Sequence, residues 1–301
     1  MATTSVPATS APIRAAAGLR RGLRLTRDVP LLPLLILTPL VLVALFANVL
    51  APYDPTLPVP GAKMFTPPFW LPGGSLQTLL GTDFQARDIL SRLLFGARVS
   101  LIVGLFGTLV AGSIGTALGI LAGYLGGWVD QVIMRLTDAW LALPALVFAI
   151  FLATLLGPSM WNIIIILGLV YWTRYARVIR GEVLSLRERE YVKLAELAGA
   201  NKRRVILRHI LPNVLNTTTV LASLTIGVVI IAEASLSFLG VGVPPPQPAW
   251  GLMLAEARPT LMAGKWWLTV CPGACILLVV LATQLFGDWL RVRLDPQLRN
   301  L

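Results

Sequence analysis

Long apolar stretches separated by short polar segments dominate the hydrophobic pattern of this chain. Neither the stretch between Arg98 and Asp130 nor the one between Asp138 and Arg174 contains a charged residue. A helix crosses a bilayer with about 20 consecutive apolar residues, so each stretch is long enough. The second stretch is divided by a Gly-Pro-Ser break at 157–159, which predicts two crossings. The pattern predicts six transmembrane helices in all, at 31–50, 99–125, 133–156, 160–178, 215–239 and 267–287.

The composition supports an all-α membrane protein. Apolar residues make up 56% of the 301 positions and charged residues only 13%, with a mean hydropathy of +0.78. A soluble domain carries about 25% charged residues. The net charge of +11 does not indicate a nucleic-acid partner, because the basic residues lie mostly at the ends of apolar spans. A nucleic-acid-binding protein carries them on a soluble face instead.

The distribution of lysine and arginine predicts the orientation. Most of the 25 basic residues fall in the N-terminal tail, the turn 126–135, the basic stretch 174–212 and the C-terminal tail. The positive-inside rule places these segments in the cytoplasm, so both termini lie inside. The apolar run after the N-terminal arginines is too long for a signal-peptide core, which predicts an uncleaved first helix.

These assignments divide the chain into four parts. A cytoplasmic tail at 1–30 precedes the first transmembrane helix and its outer loop at 31–98. A core follows at 99–290, and a second cytoplasmic tail at 291–301 ends the chain. The core contains a cytoplasmic loop at 179–214 and an outer loop at 240–266.

Small residues recur every four positions along the second predicted helix. At this spacing small residues let the backbones of membrane helices approach closely. We expect them to pack within this subunit or against a partner subunit, with a place on the solute path as the alternative. The residues are Gly107, Ala111, Gly115, Gly119 and Gly123.

The outer loops also have predicted local structure. Thr82 followed by Gln85 has the form of a capping box, which predicts a helix beginning near Asp83. Two ion pairs with helical i,i+4 spacing would lie on it, Asp83–Arg87 and Asp88–Arg92.

Three tryptophans lie in or beside the second outer loop. The proline-rich segment 244–248 cannot be helical. Trp250 follows it, and Trp266 and Trp267 lie further along. Tryptophan at such positions marks the membrane interface, and contact with an external partner is the alternative.

Candidate enzyme chemistry is scarce. The chain has no Gly-rich phosphate loop and a single histidine, His209, so we expect neither a nucleotide site nor a histidine-based metal cluster. Cys271 and Cys275 are interpreted as small core residues, with a metal or redox pair as the alternative. No Ser/His/Asp set can be assembled. The sequence therefore does not indicate an enzyme, and no cofactor is expected to bind this chain.

The basic stretch is predicted to form two short helices. The first, at 188–198, has a narrow apolar stripe at Tyr191, Leu194, Ala195 and Ala198. Gly199 can end that helix at positive φ, and Asn201 can cap the next one. Pro212 ends the second helix or begins the fifth transmembrane helix.

Three cations stand at the start of the second short helix. Lys202, Arg203 and Arg204 lie in its first turn, where positive charge opposes the helix dipole at a cost of about 0.3–1 kcal/mol each. Anionic lipid headgroups or acidic groups of a docked protein would offset that cost.

In this stretch the sequence resembles the "EAA" loop of ABC-importer permeases. The resemblance is carried by EYVKLAELAG at 190–199 and ILRHILPN at 206–213, in which Gly199 and Leu211-Pro212 fit the register of the family pattern. Other motifs narrow it to the peptide/nickel branch, in the form of the second permease subunit of a dipeptide/oligopeptide-type importer. They are LGTD at 80–83, RDILSR at 87–92, EASLSFLG at 233–240 with the following prolines and WG at 250–251, and FGD to LDP at 286–296.

Two positions depart from the family pattern. The Glu-Ala-Ala triplet reads Lys193-Leu194-Ala195, so its acidic residue is lost, although Glu196 lies nearby. Ala86 stands where the family usually has glycine. The first departure puts in doubt any ionic contact made by the missing glutamate.

The resemblance implies a type I ABC importer permease fold in a bacterial inner membrane. Its implied partners are a second permease, two cytoplasmic ATPases that bind ATP and magnesium, an external binding protein and membrane lipid. The residues implied for ATPase coupling are Tyr191, Leu194, Ala195, Glu196, Ala198, Gly199, Leu211 and Pro212.

Outside this loop, two further groups of candidate residues stand out. Glu233 is the one acidic residue of the fifth predicted helix, and it is interpreted as a partnered structural carboxylate or as part of a path or gate with Ser235 and Ser237. Contact with the external partner is assigned to Trp250, Trp266 and Trp267.

Three alternatives remain at this point. The same importer type could carry nickel or another small solute, or the chain could be a stand-alone secondary transporter or channel, or a membrane scaffold. Secondary transporters often show inverted repeats, and none is apparent here.

Overall fold

The computed structural model describes residues 30–294, and the remainder of the two predicted tails lies outside the described residues. Over this range the chain is a bundle of α-helices with two isolated β-bridges and no strand. The helices are α1 (Leu31–Leu50), α2 (Ile89–Leu125), α3 (Gly127–Leu141), α4 (Ala145–Leu156), α5 (Met160–Arg187), α6 (Glu190–Leu197), α7 (Lys202–Val205), α8 (Leu211–Phe238), α9 (Trp250–Ala257) and α10 (Trp267–Leu294).

The prediction of about six transmembrane helices is confirmed, with one of them broken. Five helices of the described range are long and apolar enough to cross a membrane, namely α1, α2, α5, the continuous helix Lys202–Phe238 and α10. The helices α3 and α4 are bent by 92° and together make the sixth crossing if they count as one span. The span predicted at 133–156 is therefore not one continuous helix, because Pro144 precedes α4 and the residue before a proline avoids helical geometry.

We call the end of the bundle at residues 188–201 the loop end, and the end formed by 51–88 and 239–266 the cap end. The second transmembrane helix begins at the cap end ten residues earlier than predicted, at Ile89 rather than 99. Asp88 caps it by accepting a hydrogen bond from the Ser91 amide at 2.8 Å. The predicted helix near Asp83 is wrong, because Ala86 takes a φ of 57° and turns the chain.

The helix α5 continues through the first part of the basic stretch. It ends at Arg187, whereas the sequence predicted its end near 178 and a loop from Arg174. Contacts with neighbouring helices hold this extension: Arg180 forms an ion pair with Asp130 of α3, and Arg187 donates to the Gly123 carbonyl at 3.2 Å. The connection between α5 and α7 is therefore restricted to residues 188–201, which include α6.

The small residues of α2 pack inside the subunit. A methyl group added at Gly115 would lie 2.2 Å from the Trp172 carbonyl oxygen, and one at Gly119 would lie 2.8 Å from that of Ala176. Such distances require glycine, since no real Cβ approaches a backbone atom so closely. The stripe therefore brings α2 and α5 together, and the prediction of packing within the subunit is confirmed for these positions.

Cys271 and Cys275 lie on α10 as free thiols, half-buried and packed against an apolar cluster. This is the environment of small core residues, as the sequence suggested.

Candidate functional site

A short helix with an exposed apolar face stands at the loop end. In α6, Leu194 is 64% exposed and Leu197 is 84% exposed, while Tyr191 is 38% exposed. Exposed large apolar residues grouped in this way mark a contact with another protein. Leu197 was missed by the sequence analysis, because the predicted stripe ran through Ala195 and Ala198 instead.

The other predicted coupling residues surround this face. Ala195 is half-buried, and Glu196, Ala198 and Gly199 are exposed. Leu211 and Pro212 lie at the first two positions of α8, with Leu211 half-buried and Pro212 exposed.

The opposite side of α6 is fixed to the transmembrane helices. Val192 is fully buried in an apolar cluster with Ile179 and Val183 of α5. The same cluster contains Val205 of α7 and Val214 of α8. The helix α6 is therefore packed between two transmembrane segments, and a displacement of α6 acts on both.

A hydrogen bond also joins this loop to α2. The hydroxyl of Tyr124, near the end of α2, donates to Glu196 Oε1 at 2.7 Å. Glu196 is thus engaged within the subunit. On the exposed side of the loop, Lys193 contacts Glu188 at 2.9 Å and lowers the pKa of that carboxyl.

The turn between α6 and α7 follows the local chemistry predicted for it. Gly199 has a φ of 83°, in the left-handed region that favours glycine. The amide of Ala200 donates to the Ala195 carbonyl at 3.0 Å, which closes the end of α6. Asn201 then caps α7, its side chain accepting from the Arg204 amide at 2.8 Å.

Pro212 does not end a helix; it lies just inside the start of α8. A π-turn at Ile206–Ile210 carries α7 directly into α8. A proline removes a backbone donor and its ring crowds the preceding turn, and a π-turn relieves that crowding. Next to it, the His209 carbonyl accepts from Asn213 Nδ2 at 2.6 Å. The loop end is therefore continuous with the 37-residue helix Lys202–Phe238.

The predicted path residues do not share one surface. Glu233 is fully buried, and it accepts hydrogen bonds from Ser100 at 3.2 Å and from Ser237 at 2.8 Å. Ser237 also accepts from the Val243 amide at 3.2 Å, so this group ties α8 to α2 and to the following loop. Ser235 is half-buried and donates to the Ile231 carbonyl of its own helix.

The three predicted contact tryptophans are placed differently from one another. Trp250 is 1% exposed and donates from its indole nitrogen to the Leu93 carbonyl at 3.0 Å. Its ring lies over Gly96, where an added methyl group would approach within 2.7 Å. Trp267 is also buried, at 7% exposed, whereas Trp266 is 40% exposed. Only Trp266 of the three therefore presents a large surface to a partner.

Four charged side chains form a buried cluster at the cap end, and the sequence predicted only one of its pairs. The predicted pair of Arg87 with Asp83 exists at 2.7 Å, but in a turn rather than on a helix. The predicted pair of Asp88 with Arg92 does not form; Arg92 contacts Asp83 and, at 2.7 Å, Glu256. Glu256 also contacts Arg87 at 3.2 Å. No local signal indicated Glu256, because it lies on α9, far along the chain.

The geometry of the loop end suits docking and mechanical transmission. Over residues 30–294, no group of three or more His, Cys, Asp or Glu side chains could hold a metal ion. The apolar face of α6 offers a contact surface, and the cluster beneath it offers a rigid connection to α5 and α8.

Comparison with known proteins gives consistent matches. A family model described as the binding-protein-dependent transport system inner membrane component matches residues 115–300. The di/tripeptide transport system permease protein of Pseudomonas aeruginosa is 43% identical over 267 residues, covering 89% of this chain and 88% of that protein. The glutathione transport system permease protein of Pectobacterium atrosepticum is 40% identical over 261 residues, covering 87% and 84%. The dipeptide transport system permease protein of Haemophilus influenzae is 40% identical over 259 residues, covering 86% and 87%.

Proposed function

The chain belongs to the family of inner membrane components of binding-protein-dependent transport systems, and we propose that it is a permease subunit that imports di- or oligopeptides across a bacterial inner membrane. Peptides are favoured over nickel or another small solute because similar permeases are named as di/tripeptide and dipeptide transport proteins. The stand-alone transporter is disfavoured because it gives the loop end no role.

The observation that carries the coupling role is the two-sided character of α6. One side presents Leu194 and Leu197 to a partner, and the other side buries Val192 against α5 and α8. A rigid element with these two contacts transmits the motion of a docked protein to the membrane helices without chemistry of its own.

We assign the docked protein to the ATPase subunits of the importer. One ATPase receives α6 of this chain, and a second ATPase receives the equivalent loop of a partner permease. ATP and magnesium bind on those subunits, and this chain binds no cofactor. The cations Lys202, Arg203 and Arg204 at the start of α7 are also exposed. Anionic headgroups near them offset the unfavourable helix dipole.

The cap end is assigned to the external binding protein. Trp266 is the contact tryptophan on this proposal, and Trp250 has a structural role inside the subunit. Glu233 is likewise assigned a structural role, because hydroxyl groups of Ser100 and Ser237 satisfy its carboxylate.

Reconstitution tests this proposal. The chain is co-expressed with its partner permease and ATPases, placed in liposomes, and supplied with loaded binding protein. We expect peptide uptake that requires ATP. Leu197→Asp should reduce both ATPase co-purification and uptake, because it places a charge in an apolar contact. Leu57→Asp is the matched control, since Leu57 is 59% exposed at the cap end and should leave ATPase co-purification intact.

Two results would contradict the proposal. Uptake driven by an ion gradient in the absence of ATPases would support a secondary transporter. Normal ATPase co-purification and uptake with Leu197→Asp would show that the apolar face of α6 is not the docking surface.

A further inference from the structure

An open cavity with a mixed polar and apolar lining lies beside the broken transmembrane segment. It has a volume of about 450 Å³ and opens between the end of α3 and the helices α5, α8 and α10. Its polar lining consists of Thr173, Arg174, Tyr175, Arg177, Thr225 and Gln284. None of these residues belongs to the coupling surface or to the group around Glu233.

The cavity lies well inside the membrane region. Arg174 follows the cap-end start of α5, Met160, by 14 positions, which is about 21 Å along a helix. Thr225 precedes the cap-end terminus of α8, Phe238, by 13 positions, which is about 20 Å. Both residues therefore lie at a similar depth of a hydrocarbon layer about 30 Å thick. A charged side chain at such depth is costly unless it faces a polar interior or a binding partner.

Arg174 differs from the other arginines of its helix. Arg177 contacts Asp138 at 2.7 Å, and Arg180 contacts Asp130. Arg187 contacts Glu188 at 3.4 Å. Arg174 has no hydrogen-bond or ion-pair partner among the described residues, and its side chain lines the cavity. Its charge is thus available to a group from outside the subunit.

A buried hydroxyl group beside Arg174, that of Thr173, also lacks a hydrogen-bond partner within the described chain. Thr173 is 1% exposed. The hydroxyl of the fully buried Tyr175 lies within reach of Thr225. A buried hydroxyl without a partner costs free energy, so such groups normally meet a ligand or water. Both residues line the same cavity as the free guanidinium.

We propose that this cavity is a binding site for the carboxylate group of the transported solute, with Arg174 as the residue that holds it. The proposal rests on the peptide-importer function, because every peptide with a free C-terminus carries such a group. A guanidinium matches a carboxylate through two parallel hydrogen bonds. Thr173, Tyr175 and Gln284 supply further polar contacts around it. An acidic side chain of the partner permease offers the same chemistry and is the competing source of the carboxylate.

Uptake by the complete reconstituted importer tests the site. Arg174→Gln and Arg174→Lys are compared with wild type at saturating binding protein, with a dipeptide and with its C-terminal amide. The binding protein is the same in every assay, so its own preference for the dipeptide or the amide affects all permease variants equally. Arg135→Gln on α3 is the matched control, since Arg135 is exposed and lies outside the cavity.

We expect Arg174→Gln to lower uptake of the dipeptide on the order of ten- to a hundredfold, the value of a lost charged hydrogen bond. Uptake of the amide should fall much less, so the ratio between the two solutes should change. Arg174→Lys should keep part of the wild-type preference for the dipeptide over its amide. Assembly and ATPase stimulation by the loaded binding protein should stay near wild type, as should all readouts for Arg135→Gln.

Three outcomes would contradict these proposals, and they can be told apart. An unchanged ratio in Arg174→Gln, whether uptake is normal or lowered equally for both solutes, overturns the site. Loss of assembly with the partner permease in Arg174→Gln, and its retention in Arg174→Lys, identifies the partner's carboxylate as the source and also overturns it. Absence of peptide uptake by the wild-type importer refutes the proposed function itself, before any variant is compared.

Discussion

Gly199→Ala isolates the backbone contribution of the turn between α6 and α7. Gly199 has a φ of 83°, and a methyl group added there would meet no atom within 4 Å. The substitution therefore has no steric clash with the rest of the protein. What remains is the cost of left-handed backbone for a residue with a Cβ, about 1–2 kcal/mol. A cost of this size reduces the population of the native turn by roughly five- to thirtyfold relative to its alternatives.

We expect that loss to appear in coupling rather than in folding. The turn itself is exposed, whereas the buried apolar cluster around Val192 holds α6 against the rest of the subunit. Gly199→Ala should lower substrate-stimulated ATPase activity and uptake while the subunit still assembles. Gly199→Pro should be more severe, because proline fixes φ near −65° and cannot adopt this conformation.

Gly181→Ala is the matched control for this prediction. Gly181 lies in α5 with ordinary helical geometry, and a methyl group added there also meets nothing within 4 Å. Alanine is favoured over glycine in a helix by about 1 kcal/mol, so this change should be neutral or stabilising. The reasoning is refuted if coupling is normal in both Gly199 variants, or if Gly181→Ala impairs it equally.

The remaining predictions concern buried groups. Glu256→Gln should destabilise the subunit by about 3 kcal/mol, measured by thermal unfolding in detergent, because Arg92 loses one of its two carboxylate partners in a buried site. Trp250→Ala should cost about 3–5 kcal/mol in the same assay, whereas Trp266→Ala should stay within about 0.5 kcal/mol and weaken binding-protein affinity instead. Glu233→Gln should leave assembly and uptake near wild type, since the amide oxygen can accept from Ser237 and the amide nitrogen can donate to the Ser100 hydroxyl.

Each of these predictions has a contrary result. Thermal stability of Glu256→Gln equal to that of Glu188→Gln, a change at an exposed carboxylate, would mean that the four-charge cluster contributes little. Full stability of Trp250→Ala would contradict its buried placement. Altered uptake by a normally assembled Glu233→Gln variant would favour a role of Glu233 on the solute path.

The membrane-spanning pattern could be predicted because it depends on local composition. Uninterrupted apolar runs identified every crossing, and the turn at Gly199 and Asn201 was predicted from the conformational preferences of single residues. The start of α2 and the end of α5 were misplaced for one physical reason. Arg98 and Arg180 read as polar breaks in the sequence, whereas in the fold Arg98 donates to the Ala44 carbonyl of α1 at 2.8 Å and Arg180 pairs with Asp130 of α3.

Contacts between distant segments account for the other differences. Glu256 lies 164 residues from Arg92 along the chain, so nothing in either neighbourhood indicated their pairing. Trp250 was assigned to an interface because tryptophan is common there, but the space above Gly96 receives its ring. Pro144 was the one overlooked local signal, since a proline within an apolar run predicts the break that separates α3 from α4.

The loop end and the cavity share their supporting helices, which connects the two proposals mechanically. Val192 of α6 shares one buried apolar cluster with Ile179 of α5 and Val214 of α8. Arg174 lies five positions from Ile179 on α5, and Thr225 lies eleven positions from Val214 on α8. A displacement of α6 is therefore expected to act, through this cluster, on the two helices that carry Arg174 and Thr225. On the proposed docking of an ATPase at α6, ATPase closure is expected to shift both of these helices, so coupling and carboxylate binding would respond to the same motion.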